Sequence, residues 1–407
     1  MRETTNEMIN VAVFGYGTVG SGTVSVIMEN NKVISKRVGD DITVKYILDL
    51  LDFPKDPYND KIVHDIDVII SDPEVSVCCE TMGGVGAAYK FTKMALEAGK
   101  SVCTSNKELV AAHGPELIAL AKAHNCSYLF EASVGGGIPI IRPLQDALTA
   151  EVIESISGIV NGTTNYMLTK MDNEGADFDK VLKEAQLNGY AEANPAADIE
   201  GYDACRKIAI LSSLVYGKTI NYEDIHTEGI TGISSRDFKY AHQIGRTIKL
   251  VAKYDSNNGN PYALVAPFML DSNNPLANVN DVFNAILVHG NMVDDVMFYG
   301  RGAGKLATAS AVVGDVVELA KNIGHNISCD WADESVVLDG LKDAKRKFFV
   351  RVGAEVTAEA DDLFKNVEEV KVGFFDEYAF VTDEITESEF EEKKNKLGTG
   401  VINYIRF

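Results

Sequence analysis

Over the first third of the chain, short continuous apolar runs alternate with longer stretches whose apolar residues recur at helical spacing. The runs Ile9–Phe14, Ile42–Leu48, Val75–Cys79, Ser101–Thr104 and Ser127–Phe130 predict strands. Between them, Val19–Glu29, Ala87–Ala98 and Lys107–His124 predict helices. Gly99 would end the second helix, Asn106 and Asn125 would cap the third, and Gly114-Pro115 is expected to interrupt it. Strand and helix in strict alternation predict an α/β, doubly wound parallel sheet, a Rossmann dinucleotide-binding domain over residues 1–133.

From Val134 the rhythm changes. After Gly-Gly-Gly-Ile-Pro-Ile come helices near Asp179–Gln186, Asp203–Tyr216 and Asp237–Gln243, with strands at Ile156–Val160 and Ile248–Lys253. This mixture predicts an α+β substrate and oligomerisation domain over 134–299. The Gly-rich turn Tyr299–Lys305 precedes an apolar helix, Ala307–Asn322, expected to return and complete the first domain with residues 300–330. The tail reads strand (Phe348–Val352), short helix, hairpin (Glu369–Thr382), helix (Glu387–Leu397) and strand (Val401–Phe407). That is a small βαββαβ pattern over 345–407, of the kind found in amino-acid-sensing modules.

Charge narrows the partners. With 38 Lys+Arg against 60 Asp+Glu, the formal charge of −22 repels nucleic acid phosphates and anionic lipid headgroups, so neither nucleic acid nor membrane is expected as a partner. The six cysteines show no CxxC spacing and several lie in apolar runs, which predicts buried thiols in a reducing compartment. No basic stretch followed by an apolar one opens the chain and no apolar run reaches membrane-span length, so a cytoplasmic location is expected.

The first candidate site follows the first strand. Gly15-x-Gly17-x-x-Gly20 stands where a strand turns into a helix, with Thr18 and Val19 opening that helix. Gly15 would allow the tight turn, Gly17 would admit a pyrophosphate against bare backbone, and Gly20 would let helix and strand approach. Asp49, ending the second strand, can accept hydrogen bonds from the adenine-ribose hydroxyls and would repel a 2′-phosphate, which favours NAD while leaving NADP admissible. Thr81, Thr104 and Ser105 follow later strands on the ligand side of such sheets, and Gly302 lies in the later Gly-rich turn.

The second candidate site is the acidic stretch from Gly189 to Lys207. Asp203 and Lys207 stand one helical turn apart and share a face, with Glu192 and Asp198 in the loop before them. A solvent-exposed i,i+4 ion pair is the commoner meaning of such spacing. Against it, Ile208, Leu211 and Val215 make the rest of the helix apolar.

Here the chain resembles the homoserine dehydrogenases. The resemblance runs from about Asn10 to Lys321 and rests on several motifs together: Gly189-Tyr-Ala with Asn194-Pro195, Asp198-Ile199, Gly201, Asp203 and Lys207; Thr104-Ser-Asn106-Lys107; Glu131-Ala-Ser-Val134-Gly-Gly-Gly-Ile138-Pro139; Asn161-Gly-Thr-Thr-Asn165-Tyr166; and Gly300-Arg-Gly302-Ala-Gly304. It implies NAD(P)-dependent interconversion of L-homoserine and L-aspartate 4-semialdehyde, on the route to threonine, methionine and isoleucine. It further implies that Lys207 exchanges the proton, that Lys107 bridges cofactor and substrate, and that Glu192, Asp198 and Asp203 hold the substrate or support the lysine. By the same carry-over, Glu131 and the backbone carbonyls of Val134, Gly136 and Ile138 would form a Na⁺ or K⁺ site. A homodimer or homotetramer is implied as well. The tail resembles the ACT modules of that family, but Val356-Thr-Ala-Glu-Ala-Asp stands where an Asp-x-Pro-Gly turn is usual, so a threonine site is not implied. Members that prefer NADP often carry arginine just before the aspartate, where this chain has Leu48. No kinase segment precedes Met1, which suggests a monofunctional enzyme.

Two other readings compete. An aspartate-semialdehyde dehydrogenase would need a nucleophilic cysteine, for which Cys103 is the best candidate, yet it sits in an apolar run without a visible activating partner. A non-catalytic NAD or amino-acid sensor would have no use for a proton donor, so Lys107, Asp203 and Lys207 argue against it.

Overall fold

The structure, a computed structural model, describes residues 8–407. Two units cluster separately: residues up to Ala150 with Ser213–Thr219 and Gly300–Ser335, and Glu151–Ser212 with Ile220–Tyr299 and Val336–Phe407.

In the first unit the chain runs β1 (Ile9–Phe14), α1 (Thr18–Glu29), α2 (Asn31–Val38), β2 (Ile42–Leu48), β3 (Ile62–Val63), α3 (Ile66–Ile70), β4 (Val75–Glu80), α4 (Gly86–Glu97), β5 (Ser101–Thr104), α5 (Lys107–Ala123) and β6 (Tyr128–Leu129). The strands form one sheet in the order β3-β2-β1-β4-β5-β6, every pair parallel. Helices cover both faces, so central β1 is buried at all six positions, and apart from Asn10, whose amide donates to the Glu74 carbonyl, its sequence is apolar throughout. The expected interruption of α5 does not occur: the helix continues through Gly114-Pro115. Pro115 gives up one backbone hydrogen bond, but a Cβ on Gly114 would come within 3.0 Å of the Trp331 ring, so the bare glycine lets that ring lie against the helix.

The second unit holds β7 (Ile153–Ile159), α6 (Gly162–Glu174), α7 (Phe178–Leu187), α8 (Ala196–Ile199), the start of α9 (Tyr202–Tyr216), α10 (Ser235–Gln243), β8 (Arg246–Asp255), β9 (Tyr262–Asp271), β10 (Phe283–Gly290) and most of β11 (Asp294–Arg301). The chain then re-enters the first unit as α11 (Lys305–Lys321), whose Val312, Val316 and Leu319 join Val11, Val24 and Ile27 in that unit's core. Gly22 on α1 makes this packing possible, since a Cβ there would sit 2.7 Å from the Lys305 carbonyl.

The tail returns to the second unit as β12 (Phe348–Gly353), α12 (Thr357–Phe364), β13 (Glu368–Glu369), β14 (Glu377–Val381), α13 (Glu387–Leu397) and β15 (Val401–Arg406). Its strands continue the sheet of the unit in the order β11-β10-β7-β8-β9-β15-β12-β14-β13. β15 joins β9 in parallel at Phe268↔Arg406, while all pairs within the tail are antiparallel. One face of the tail packs Phe348, Val350 and Phe380 against Phe364 and Phe390 of its helices. The other face meets α10: Phe349 lies 5.4 Å from the Tyr240 ring, and Arg351 binds Asp237 at 2.7 Å and Glu377 at 2.5 Å.

Candidate active site

At the C-terminal edge of the parallel sheet, each glycine of the first motif has a distinct geometric reason. Gly15 holds φ +88°, a region costly for L side chains, and Gly20 faces the Gly15 carbonyl so closely that a Cβ would stand 1.9 Å from its oxygen. Gly17 is exposed, with nothing within 4 Å of its Cβ position, which leaves bare backbone at the start of α1 for an anionic group. Asp49 closes the turn from the neighbouring strand: one carboxylate oxygen accepts the Tyr16 N–H at 2.7 Å and the other the Leu51 N–H at 3.0 Å.

Thr81 and Thr104 do not offer their hydroxyls to a ligand. Thr81 Oγ1 lies 2.9 Å from the carbonyls of both Phe14 and Gly15, bracing the turn, and Thr104 Oγ1 donates to Glu80. Glu80, which sequence reasoning did not single out, is fully buried at the end of β4 and also accepts the Met82 N–H at 2.7 Å. Thr104 Oγ1 in turn accepts the Asn106 N–H, and the Asn106 side chain caps α5 through the Leu109 N–H at 3.1 Å. Lys107 is the first residue of that helix, so Glu80, Thr104 and Asn106 together fix where it starts. Half-buried Ser105 lies in the same turn.

Burial pushes the Glu80 carboxyl up to about 7, against the opposing hydrogen bonds from Thr104 and Met82. A carboxyl raised in the folded state stabilises the fold fully below its unfolded value and loses that contribution as pH rises through about 7. Asp315, also raised to about 7 by burial, acts in the same direction. Glu80→Gln is therefore expected to remove on the order of 3 kcal/mol of pH-dependent stability, flattening the fall in melting temperature between about pH 5 and about pH 8. Parallel melting curves for wild type and variant would contradict this.

In the second unit, Asp203 and Lys207 project from one face of α9, as their spacing predicted, but the pair is not solvent-exposed. The residues are 7% and 9% exposed, and Lys207 Nζ stands 2.8 Å from Asp203 Oδ2 and 2.6 Å from the Val160 carbonyl. Asn161 ties the carboxylates together: its Nδ2 donates to Asp203 at 2.9 Å and to Asp198 at 2.7 Å, while its Oδ1 caps α6 through the Thr164 N–H. Asn161 belongs to a recognised motif, yet only the fold shows that it holds both acids. Desolvating an ion pair costs several kcal/mol per charge, so a buried lysine and carboxylate are a weak source of stability. Glu192 is exposed on the loop between α7 and α8, where its backbone carbonyl accepts from Gln186. Lys107 belongs to the first unit.

Glu131 is buried, and its carboxylate accepts the N–H groups of Ile140, Ile141 and Arg142 at 2.6, 2.9 and 2.7 Å. Two of these bonds share Oε1, leaving one acceptor position on Oε2. The carbonyls of Val134, Gly136 and Ile138 accept no hydrogen bond among the described residues, so the oxygen set suits a hard monovalent cation in kind. Gly136 must lack a side chain here, because a Cβ would stand 2.2 Å from the Gly302 carbonyl. That contact also places Gly302 against the 134–138 loop. Cys103 is fully buried, and its thiol is pushed well above its ordinary value by the neighbouring Cys79 and by burial, which removes it as a nucleophile.

The family model described as homoserine dehydrogenase matches residues 139–317, and that of the homoserine dehydrogenase NAD-binding domain matches residues 15–131. The chain is 42% identical to the homoserine dehydrogenase of Bacillus subtilis over 322 residues, covering 77% of this chain and 73% of that one. It is likewise 42% identical to that of Synechocystis over 353 residues, covering 84% and 79%. Among solved structures, a homoserine dehydrogenase from Thiobacillus denitrificans superposes with a TM-score of 0.89 at 32% identity, covering 98% of each chain.

Proposed function

This chain belongs to the homoserine dehydrogenase family, the NAD(P)-dependent oxidoreductases that interconvert L-homoserine and L-aspartate 4-semialdehyde, and we propose that Lys207 carries the proton in that reaction. The observation behind the proposal is the buried Lys207 ammonium, with two of its three N–H groups held by Val160 and Asp203. The third is left for a substrate oxygen. In aldehyde reduction Lys207 gives this proton to the carbonyl oxygen; in alcohol oxidation the neutral amine takes it from the hydroxyl. The nicotinamide, when bound, supplies or accepts the hydride at the same carbon. Asp203 keeps the lysine in place, Asn161 keeps Asp203 in place, and Asp198 and Glu192 offer carboxylates to the substrate ammonium, whose charge needs pairing once it leaves water. Lys107, at the start of α5, is assigned to the junction of cofactor and substrate.

Gly15, Gly17, Thr18, Val19 and Gly20 are assigned to the pyrophosphate, with Thr81, Thr104, Ser105 and Gly302 as the walls that shape the cleft. The carboxylate of Asp49 supports NAD as the preferred cofactor. A Na⁺ or K⁺ held by Val134, Gly136, Ile138 and Glu131 would be structural, fixing the loop against Gly302. The βαββαβ topology of the tail supports a regulatory reading with an amino acid as effector. The family resemblance supports a homodimer or homotetramer, and the buried thiols support a cytoplasmic setting.

Steady-state oxidation of L-homoserine with each cofactor tests the nucleotide assignment. We expect kcat/KM to favour NAD⁺, and Asp49→Ser to narrow the preference by about tenfold, equivalent to roughly 1.4 kcal/mol. A wild type that favours NADP⁺ would overturn it.

A further inference from the structure

Asn284 stands on β10, 2% exposed, and its amide oxygen has no hydrogen-bond partner. Burying an amide oxygen without a donor costs free energy that an apolar residue of the same size would not incur, and a group kept in that state calls for a partner. β10 pairs antiparallel with β7 up to Ala285↔Ile159, so Asn284 stands one residue beyond the last pair, on the side of Val160, whose carbonyl holds Lys207. The Asn284 oxygen also lies 3.6 Å from the Cβ position of Gly162, the residue after Asn161. The chain just ahead of the strand is anchored, because Asn165 Nδ2 sits among the carbonyls of Val279, Asp281 and Phe283, at 3.1, 3.0 and 3.0 Å, which share its two N–H groups.

We propose that Asn284 is a substrate-binding residue whose side-chain oxygen accepts a hydrogen bond from the ammonium of the amino-acid substrate. The inference rests on the reading of Lys207 and its neighbours as the substrate site. An acceptor without a donor calls for an N–H or O–H group. Homoserine brings two, and its hydroxyl is already engaged by Lys207, which leaves the ammonium for Asn284.

The test pairs Asn284→Leu with Asn284→Asp, measured on L-homoserine and on 4-hydroxybutanoate, the analogue without the ammonium. For Asn284→Leu we expect the KM for L-homoserine to rise at least about tenfold. The KM for NAD⁺ and the kcat/KM on 4-hydroxybutanoate should stay within about twofold of wild type. The melting temperature should hold or rise, since no bond is lost and the orphaned oxygen is gone. Asn284→Asp keeps the acceptor and should bind L-homoserine within a few fold of wild type. A homoserine KM that Asn284→Leu leaves within about twofold, or an equal loss on both substrates, overturns the proposal. Should Asn284→Leu not fold, loss of homoserine binding in a folded Asn284→Asp would overturn it as well. Failure of the Lys207 reading is separately visible, as undiminished turnover in a Lys207 variant.

Discussion

Replacing Lys207 with arginine should lower turnover of L-homoserine by about 10²- to 10⁴-fold, the usual worth of a positioned general acid or base, while NAD binding persists. Arginine can still bind Asp203 and the Val160 carbonyl, so the buried charge balance at the head of α9 is kept. What is lost is the ability to give up a proton, because a guanidinium does not deprotonate in a protein. Lys207→Met should lose as much activity and also some stability, since Asp203, 7% exposed, loses the ammonium that stands 2.8 Å from its carboxylate. Comparison of the two variants separates chemistry from folding. Turnover by Lys207→Arg within about tenfold of wild type would show that the proton travels by another group.

The largest expected effect on stability lies far from this chemistry, at Arg351. Its guanidinium on β12 holds Asp237 of α10 at 2.7 Å and Glu377 of β14 at 2.5 Å, and the side chains of both acids are almost fully buried. Removing one partner from a buried ionic cluster typically costs about 3–5 kcal/mol, because the charges left behind stay desolvated. Arg351→Met should accordingly lower the melting temperature of the second unit by roughly 10 °C, at about 2–4 °C per kcal/mol for a unit of this size. Adding Asp237→Leu and Glu377→Leu should return much of the loss, since an apolar replacement removes the stranded charges. A single variant that melts within about 2 °C of wild type would contradict this account. The cluster also bears on the tail. Its strand β15 pairs with β9 and its second face is closed by α10, so β12 to β15 are expected to unfold with the second unit rather than alone.

The first unit was legible in the sequence because its signals agree. Apolar runs of strand length, helical spacing between them and glycines at the strand-to-helix turn all point to one sheet, and β1, β2 and β5 have the expected bounds. The second unit is less legible. β9 is buried at nine of its ten positions, so its residues show no alternation by which a strand could be told from a buried helix. Helix α6 begins Gly-Thr-Thr-Asn, poor helix formers, and owes its start to the Asn161 cap, which propensity alone does not reveal. At the site, Asp203 and Lys207 declared themselves by helical spacing. The Val160 carbonyl left no trace in the sequence, and Glu80, Asn161 and Asn284 are single polar residues at strand ends or within a strand, whose partners lie far along the chain or are missing. Pro115 shows the opposite failure, a strong local breaker overruled by tertiary packing.

Oxidation of L-homoserine through Lys207 is tested by following the nicotinamide absorbance when wild type and Lys207→Arg are given L-homoserine with NAD⁺ and, in parallel, NADP⁺. We expect steady formation of the reduced cofactor by wild type and near-complete loss in the variant at unchanged cofactor affinity. Folded wild type that binds NAD and yields no reduced cofactor with either nucleotide would contradict it.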